Sequence, residues 1–196
     1  MEQTTEPAAL FPTTPAGEEL ALVRAAQADP EAFGLIYQRY VDRVFAYTRS
    51  HLANNDDAAD VTQQVFIRAF QALPRYRATE APFAAWLFRI AANAITDEFR
   101  RNQRPTVALQ FLPESLSPPT EPPSAADETD RIELLRERVG RLSERERQLL
   151  AFRFAAGLTA REIAIVVGRS EAAVQKQLSR TLNTLKEHYR AQHLLP

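Results

Sequence analysis

Six prolines and five acidic residues, with no lysine or arginine, fall between Pro105 and Asp130. No helical period runs through them, and a Pro-rich stretch of this length reads as a linker rather than as part of a core. It splits the 196-residue chain into two parts, each with its own periodic apolar pattern, so the chain is expected to be all-α: two small helical domains joined by a flexible linker. The expected boundaries are a flexible tail over 1–16, a first domain over 17–104, the linker over 105–130, a second domain over 131–190 and a short tail over 191–196.

Start and stop signals place the helices. In Asp29-Pro30-Glu31 an oxygen acceptor, a preset φ and an acid at the positive end of the dipole follow one another. Phe33, Ile36, Tyr37, Tyr40, Val41, Val44 and Phe45 then keep a 3.6-residue period, the mark of an amphipathic helix. After the break at Asn54-Asn55-Asp56-Asp57, the next helix is predicted to turn Ala58, Val61, Val65, Phe66, Ala69, Phe70 and Leu73 inward. Pro74 ends it. Arg75 to Ala81 forms a short polar loop, and a further helix from Pro82 carries Phe83, Trp86, Leu87, Ile90, Ala94, Ile95 and Phe99 on its apolar side. In the second half a short helix is predicted over Ile132 to Leu142. Ser143-Glu144-Arg145-Glu146 and Thr159-Ala160-Arg161-Glu162 each match a capping box, and Gly157 and Gly168 stand where helices stop.

The segment Ala160 to Ser179 has the construction of a helix-turn-helix. Ile163, Ala164 and Val167 point inward from its first helix, Gly168 permits a left-handed turn, and Val174, Leu178, Leu182 and Leu185 are buried by its second helix. That burial leaves Ser170, Glu171, Ala172, Gln175, Lys176, Ser179 and Arg180 exposed together, a face suited to reading base edges at its tip and gripping phosphates along its flank. A plain helical hairpin with a solvated face is the simpler alternative. The charge distribution favours nucleic acid. Residues 1–71 carry a net −5 and 72–104 a net +3, whereas 105–130 carry −5 and 131–190 carry +6. Two basic segments thus alternate with acidic ones, the footprint expected where phosphates are met.

Catalytic chemistry has no foothold. The chain has no cysteine, no Gly-rich phosphate loop, no His pair at ligand spacing among His51, His188 and His193, and no nucleophile motif. Asp56, Asp57 and Asp60 read as capping and dipole partners rather than metal ligands. No enzyme activity, cofactor, metal or catalytic residue is therefore expected. With no apolar run near the roughly 20 residues of a membrane span and no secretory leader pattern in Met1 to Pro15, no membrane insertion is expected, and the chain is placed in the cytoplasm.

The second half alone is equally like the DNA-binding half of a LuxR-type response regulator. The first half decides between them. Asp56-Asp57-Ala-Ala-Asp60-Val-Thr-Gln-Gln-Val-Phe66-Ile-Arg-Ala-Phe70, followed by Phe83-Ala-Ala-Trp86-Leu-Phe-Arg-Ile90-Ala-Ala-Asn93-Ala-Ile-Thr-Asp97-Glu-Phe-Arg100-Arg101, resembles region 2 of the ECF sigma factors, and Leu142 to Tyr189 resembles their region 4. The resemblance implies a transcription initiation factor that binds core RNA polymerase, through its clamp helices and flap, and promoter DNA. Asp60, Gln63, Gln64, Arg68 and Gln71 become candidate polymerase contacts. The loop with Arg75, Tyr76 and Arg77 resembles the part that captures a flipped base of the melted minus-ten element, and Asn93 falls at a base-reading position. Phe83 is a candidate for stacking on bases, with burial in the core as the alternative, and Arg89, Arg100 and Arg101 are candidates for the DNA backbone. Region 4 would place Ser170 to Arg180 in the major groove of the minus-thirty-five element. Gln64 stands where the family commonly has Glu, and Gln175 where it often has a basic residue. An anti-sigma factor is a further implied partner, since many relatives are held inactive by one. The rival reading is a helix-turn-helix regulator or polymerase-binding adaptor without promoter melting.

Overall fold

The computed structural model describes residues 16–79, 81–102 and 134–193, and these contain helices and no strand. The tail up to residue 15, the Pro-rich segment 105–130 and Arg104 lie outside the described residues. Four helices form the first half: α1 (Ala16–Ala28), α2 (Phe33–Arg49), α3 (Asn55–Ala72) and α4 (Phe83–Asn102). In the second half α5 covers 134–140. It is followed by α6 (Glu144–Leu150), which opens into a π turn over Ala151–Ala155, then α7 (Ala160–Val167) and α8 (Glu171–His193).

The start signals hold in detail. Asp29 Oδ1 accepts from Glu31 N at 3.0 Å and opens a 3-10 turn, Pro30–Ala32, that leads into α2. Asn54 caps α3, taking the backbone N–H groups of Asp56 and Asp57 at 2.6 and 3.2 Å, while the two aspartates occupy the positive first turn. Both predicted capping boxes are formed, Ser143 with Glu146 and Thr159 with Glu162. Gly157 and Gly168 take φ of 65° and 67°, the left-handed values that let a helix end abruptly at low cost.

Packing of α2, α3 and α4 makes the first core. Ile36, Tyr40, Val44 and Tyr47 from α2 meet Val61 and Val65 from α3 and Phe83, Leu87 and Phe88 from α4, all buried. One polar tie is enclosed with them: Thr48 Oγ1 lies 2.9 Å from Thr62 Oγ1 and 3.1 Å from the Ala58 carbonyl oxygen, so a buried hydroxyl pair fixes the register of α2 against α3. The second core gathers Leu149, Leu150, Phe152, Leu158, Ile163 and Val174.

Two features depart from the sequence expectation. Phe70, expected inward, is 44% exposed, and Tyr37 of the periodic α2 series is 42% exposed. The apolar arc of α3 is wider than α2 and α4 can cover. Its outer edge is met by the edge-on rings of Phe33, with centroids 5.1 Å from Phe70 and 6.5 Å from Phe66, and of Tyr37, 4.7 Å from Phe66. The two halves, moreover, share one continuous core. The ring of Tyr47 stacks on that of Phe152 at 4.9 Å and 15°, and α4 lies against α7.

Candidate nucleic-acid interface

The surface of α3 turned away from the core carries Asp60, Gln63 and Gln71 exposed, with Gln64 and Arg68 half-buried. The last two are engaged within the chain. Arg68 Nη1 meets Asp97 Oδ2 of α4 at 2.8 Å, and Gln64 Oε1 accepts from Arg101 Nη2 at 3.0 Å, while Arg101 also pairs with Glu98 at 2.9 Å. Among these polar groups stands Ile67, 56% exposed, with Phe70 beside it and Tyr37 of neighbouring α2 packed on Phe66. Sequence reasoning missed this apolar patch because Phe70 fitted an inward period. An exposed cluster of large apolar side chains rimmed by polar ones marks a docking surface.

On α4 the exposed residues Arg89, Asn93, Thr96 and Arg100 recur at spacings of three and four, which places them on one stripe. Beside the stripe lies the loop after α3. Gln27 Nε2 of α1 donates to the carbonyl oxygens of Leu73 and Tyr76 at 3.0 and 2.9 Å, and the Tyr76 hydroxyl donates to Ala81 O at 2.7 Å, so the loop is tied at both ends. Burial pushes that hydroxyl up to about 12, with Glu19 adding to the shift. Tyr76 is 8% exposed and Phe83 1%, so both serve as supports for the loop, and Phe83, a candidate for base stacking, is enclosed in the core. Trp86, packed against both at 5.0 and 5.3 Å, keeps part of its ring open. It lines a cavity of about 190 Å³ with Arg75, Arg77 and Arg89. Three guanidiniums and an aromatic face around a small hollow suit an unstacked base and its phosphates.

The helix-turn-helix has the geometry its spacing predicts. Thr159 caps α7, Gly168 ends it, and Arg169 N returns to Ala164 O at 2.9 Å. The Ser170 hydroxyl then accepts from Ala173 N at 3.3 Å. Val174 and Leu178 are buried at 0% and 7% exposure, while Ser170, Glu171, Ala172, Gln175, Lys176, Ser179 and Arg180 are all exposed. Glu146 does more than the capping assigned to it by sequence. Its Oε1 also accepts from Gln177 Nε2 at 3.1 Å and Thr181 Oγ1 at 3.3 Å, which fixes α8 against α6. The Ser143 hydroxyl holds its carboxyl below the usual range. Among the described residues no group of His, Asp or Glu is arranged to hold a metal ion, and no helix is long and apolar enough to cross a membrane.

Residues 36–105 match the Sigma-70 region 2 family and residues 132–185 match Sigma-70 region 4. The chain is 36% identical over 146 residues to the ECF RNA polymerase sigma factor SigD of Mycobacterium tuberculosis, covering 74% of this chain and 67% of SigD. This chain belongs to the ECF sigma factors. BldN of Streptomyces coelicolor, also an ECF sigma factor, is 29% identical over 168 residues, 85% of this chain and 64% of its own length. The chain thus spans about two thirds of each of these two relatives. Among solved structures, CnrH in complex with the cytosolic domain of CnrY shares the fold, with a TM-score of 0.60, 24% identity and coverage of 88% of this chain and 97% of that one. Sigma factors are not enzymes. Members of the family bind core RNA polymerase and direct it to promoters.

His51, just after α2, is a buried titratable residue near the join of the two halves. Burial lowers its pKa below the ordinary 6.5 and Arg147 of the second half lowers it further, against the raising effects of the Tyr47 carbonyl and Glu144. The folded chain therefore favours the neutral ring. Above about pH 6.5 the ring is neutral folded and unfolded alike; below it the unfolded chain takes up the proton first, and stability falls. The melting temperature is expected to drop between pH 7 and 5 by more in the native chain than in His51→Asn. Equal drops would sink this assignment.

Proposed function

We propose that this chain is a promoter-reading subunit of RNA polymerase that engages DNA at two places through two domains, 17–104 and 131–190, joined by the acidic segment 105–130. The α4 stripe and the arginine-lined hollow beside it take the melted minus-ten strand, with Asn93 reading a base through its amide donor and acceptor and Arg89, Arg100 and Arg101 meeting the backbone. The exposed face of α8 enters the major groove of the minus-thirty-five element. The patch of Asp60, Gln63, Ile67, Phe70 and Gln71 docks on the polymerase clamp, and the second half on the flap. An anti-sigma factor is a competitor for these surfaces, as CnrY is a partner of CnrH, and the chain acts in the cytoplasm. What carries the reading is the α4 stripe: an exposed amide set between arginines on a rigid helix, next to a hollow with an open aromatic face.

Run-off transcription with reconstituted holoenzyme on genomic fragments tests it. A specific start site is expected with the intact chain, and Asn93→Ala should cut specific initiation about tenfold, the worth of one well-placed base contact, while polymerase binding is unchanged. Polymerase binding with no specific start would instead favour an adaptor.

A further inference from the structure

Three arginines from three places in the chain line one groove of about 280 Å³: Arg89 of α4, Arg145 of α6 and Arg169 in the turn after α7. All three are exposed, and among the described residues none forms an ion pair. No acidic residue among those described lines the groove. The carboxylates nearest in sequence are committed elsewhere: Asp97 to Arg68 and Glu98 to Arg101, Glu144 to Arg147, and Glu146 to Ser143, Gln177 and Thr181. Like charges gathered around one hollow repel each other, and a concave site with apolar walls concentrates their field on an entering anion. Arg89 is already fixed by its bond from Nη2 to Ile165 O at 2.7 Å, so less side-chain freedom is lost when an anion binds.

The anion that suits this groove carries phosphate. A planar carboxylate is filled by one guanidinium fork, whereas phosphate oxygens point in several directions and take forks from more than one side. A single phosphate ester carries about −2 at most, short of the charge gathered here, and a diphosphate chain matches it. The rest of the lining suits more than inorganic phosphate. Asn93 and Gln148 make no side-chain hydrogen bond among the described residues, and each amide offers a donor and an acceptor, the kind of pattern a base edge displays. Thr96 Oγ1 donates to Ala92 O at 2.9 Å and keeps its oxygen open to a sugar hydroxyl. Val166 and Val167, both half-buried, give a planar ring an apolar wall. The volume stands near the lower bound of small-molecule sites, about 300 Å³, which fits one nucleotide and excludes a larger cofactor. We infer that this groove is a binding site for a mononucleotide bearing two or more phosphates, with the phosphates on Arg89, Arg145 and Arg169 and the base edge on Asn93 and Gln148. A nucleotide held there covers Asn93 and Arg89, so it and the melted strand exclude one another. That consequence, unlike the site itself, rests on the promoter reading proposed above.

Fluorescence anisotropy of methylanthraniloyl-GDP and methylanthraniloyl-ADP, titrated with the full chain, tests the site. At least one is expected to bind saturably below about 1 mM, the upper end of the range in which cellular metabolites act. Pyrophosphate, which meets the guanidiniums but not the amides or the apolar wall, should displace it only at about tenfold higher concentration, the worth of those further contacts. Arg145→Ala and Arg169→Ala should each weaken binding about tenfold, as the loss of one charge-assisted hydrogen bond does. Arg161→Ala, exposed on α7 outside the groove, should leave it unchanged. Circular dichroism checks folding; where an alanine variant fails to fold, Arg145→Lys and Arg169→Lys, which keep the charge and lose the fork, decide by a partial loss. No saturation, pyrophosphate competing as well as the nucleotide, unchanged affinity in the folded groove variants, or an equal loss in Arg161→Ala overturns the site. In holoenzyme on a promoter found by run-off, the same nucleotide should slow the appearance of permanganate-reactive thymines with the native chain and not with Arg145→Ala; equal effects on both overturn the exclusion. Absence of any specific start would fault the promoter reading and leave the binding results standing on their own.

Discussion

Phe152→Ala is expected to lower stability by about 3–5 kcal/mol, the usual cost of removing a fully enclosed phenyl ring. The ring is 0% exposed, and the backbone around it is fixed by the bond from Leu158 N to Phe152 O at 2.9 Å, so the site has little freedom to collapse onto the void. Its neighbours come from both halves: Leu149 and Ile163 lie in the same cluster, and Tyr47 stacks on its face. Against a typical total of about 5–15 kcal/mol, the loss is large, and at roughly 2–4 °C per kcal/mol for a chain of this size the melting temperature should fall by about 10 °C. Phe152→Leu, nearer in volume, should cost less than about 1.5 kcal/mol. Thermal unfolding of the two variants by circular dichroism checks both values. A drop below 3 °C for the alanine variant would show that the ring is not the shared keystone described here.

The second large effect concerns duplex binding. Lys176 and Arg180 stand one helical turn apart on the exposed face of α8, and neither forms a salt bridge among the described residues. If both meet phosphates, removing them releases two fewer counterions, and the slope of log K against log salt should flatten by about 1 for each. Lys176→Ala with Arg180→Ala should therefore weaken binding at low salt by tenfold or more on every sequence tested, with the native and variant curves converging as salt rises. Loss confined to one sequence would make Lys176 a base reader instead. Unchanged affinity would remove α8 from the DNA.

Much of this was legible in the residues because it rests on local rules. Capping boxes, the Asp29-Pro30 start, the stops at Gly157 and Gly168 and the inward spacing of Val174 and Leu178 each depend on neighbours within one or two turns, and each is found as expected. Relations between distant segments were not legible. A composition that marks Pro105 to Asp130 as a spacer says nothing of whether the halves it separates touch, and an arginine at position 43 of an amphipathic helix reads as solvated until the carbonyls of Ala156 and Gly157 are brought to it. Tyr76 and Phe83 show the same limit. An aromatic in a polar loop or at a helix start is equally fit to stack on a base or to brace the loop, and the ties to Ala81 and Gln27 choose bracing for Tyr76. At Phe70 periodicity overreached, since it predicts which arc of a helix is apolar but not how much of that arc a neighbour will cover.

On α8 the exposed face and the structural seam share no residue. Val174 and Leu178 hold the helix in the core, Glu146 steadies it through Gln177 and Thr181, and among the described residues the side chains of Glu171, Ala172, Gln175, Lys176, Ser179 and Arg180 make no hydrogen bond or ion pair beyond the bond from Gln175 to Glu171. Substitutions at those six positions should each stay within about 0.5 kcal/mol of neutral for folding. A library over those six codons can thus test the duplex contact proposed for this face without first solving a stability problem.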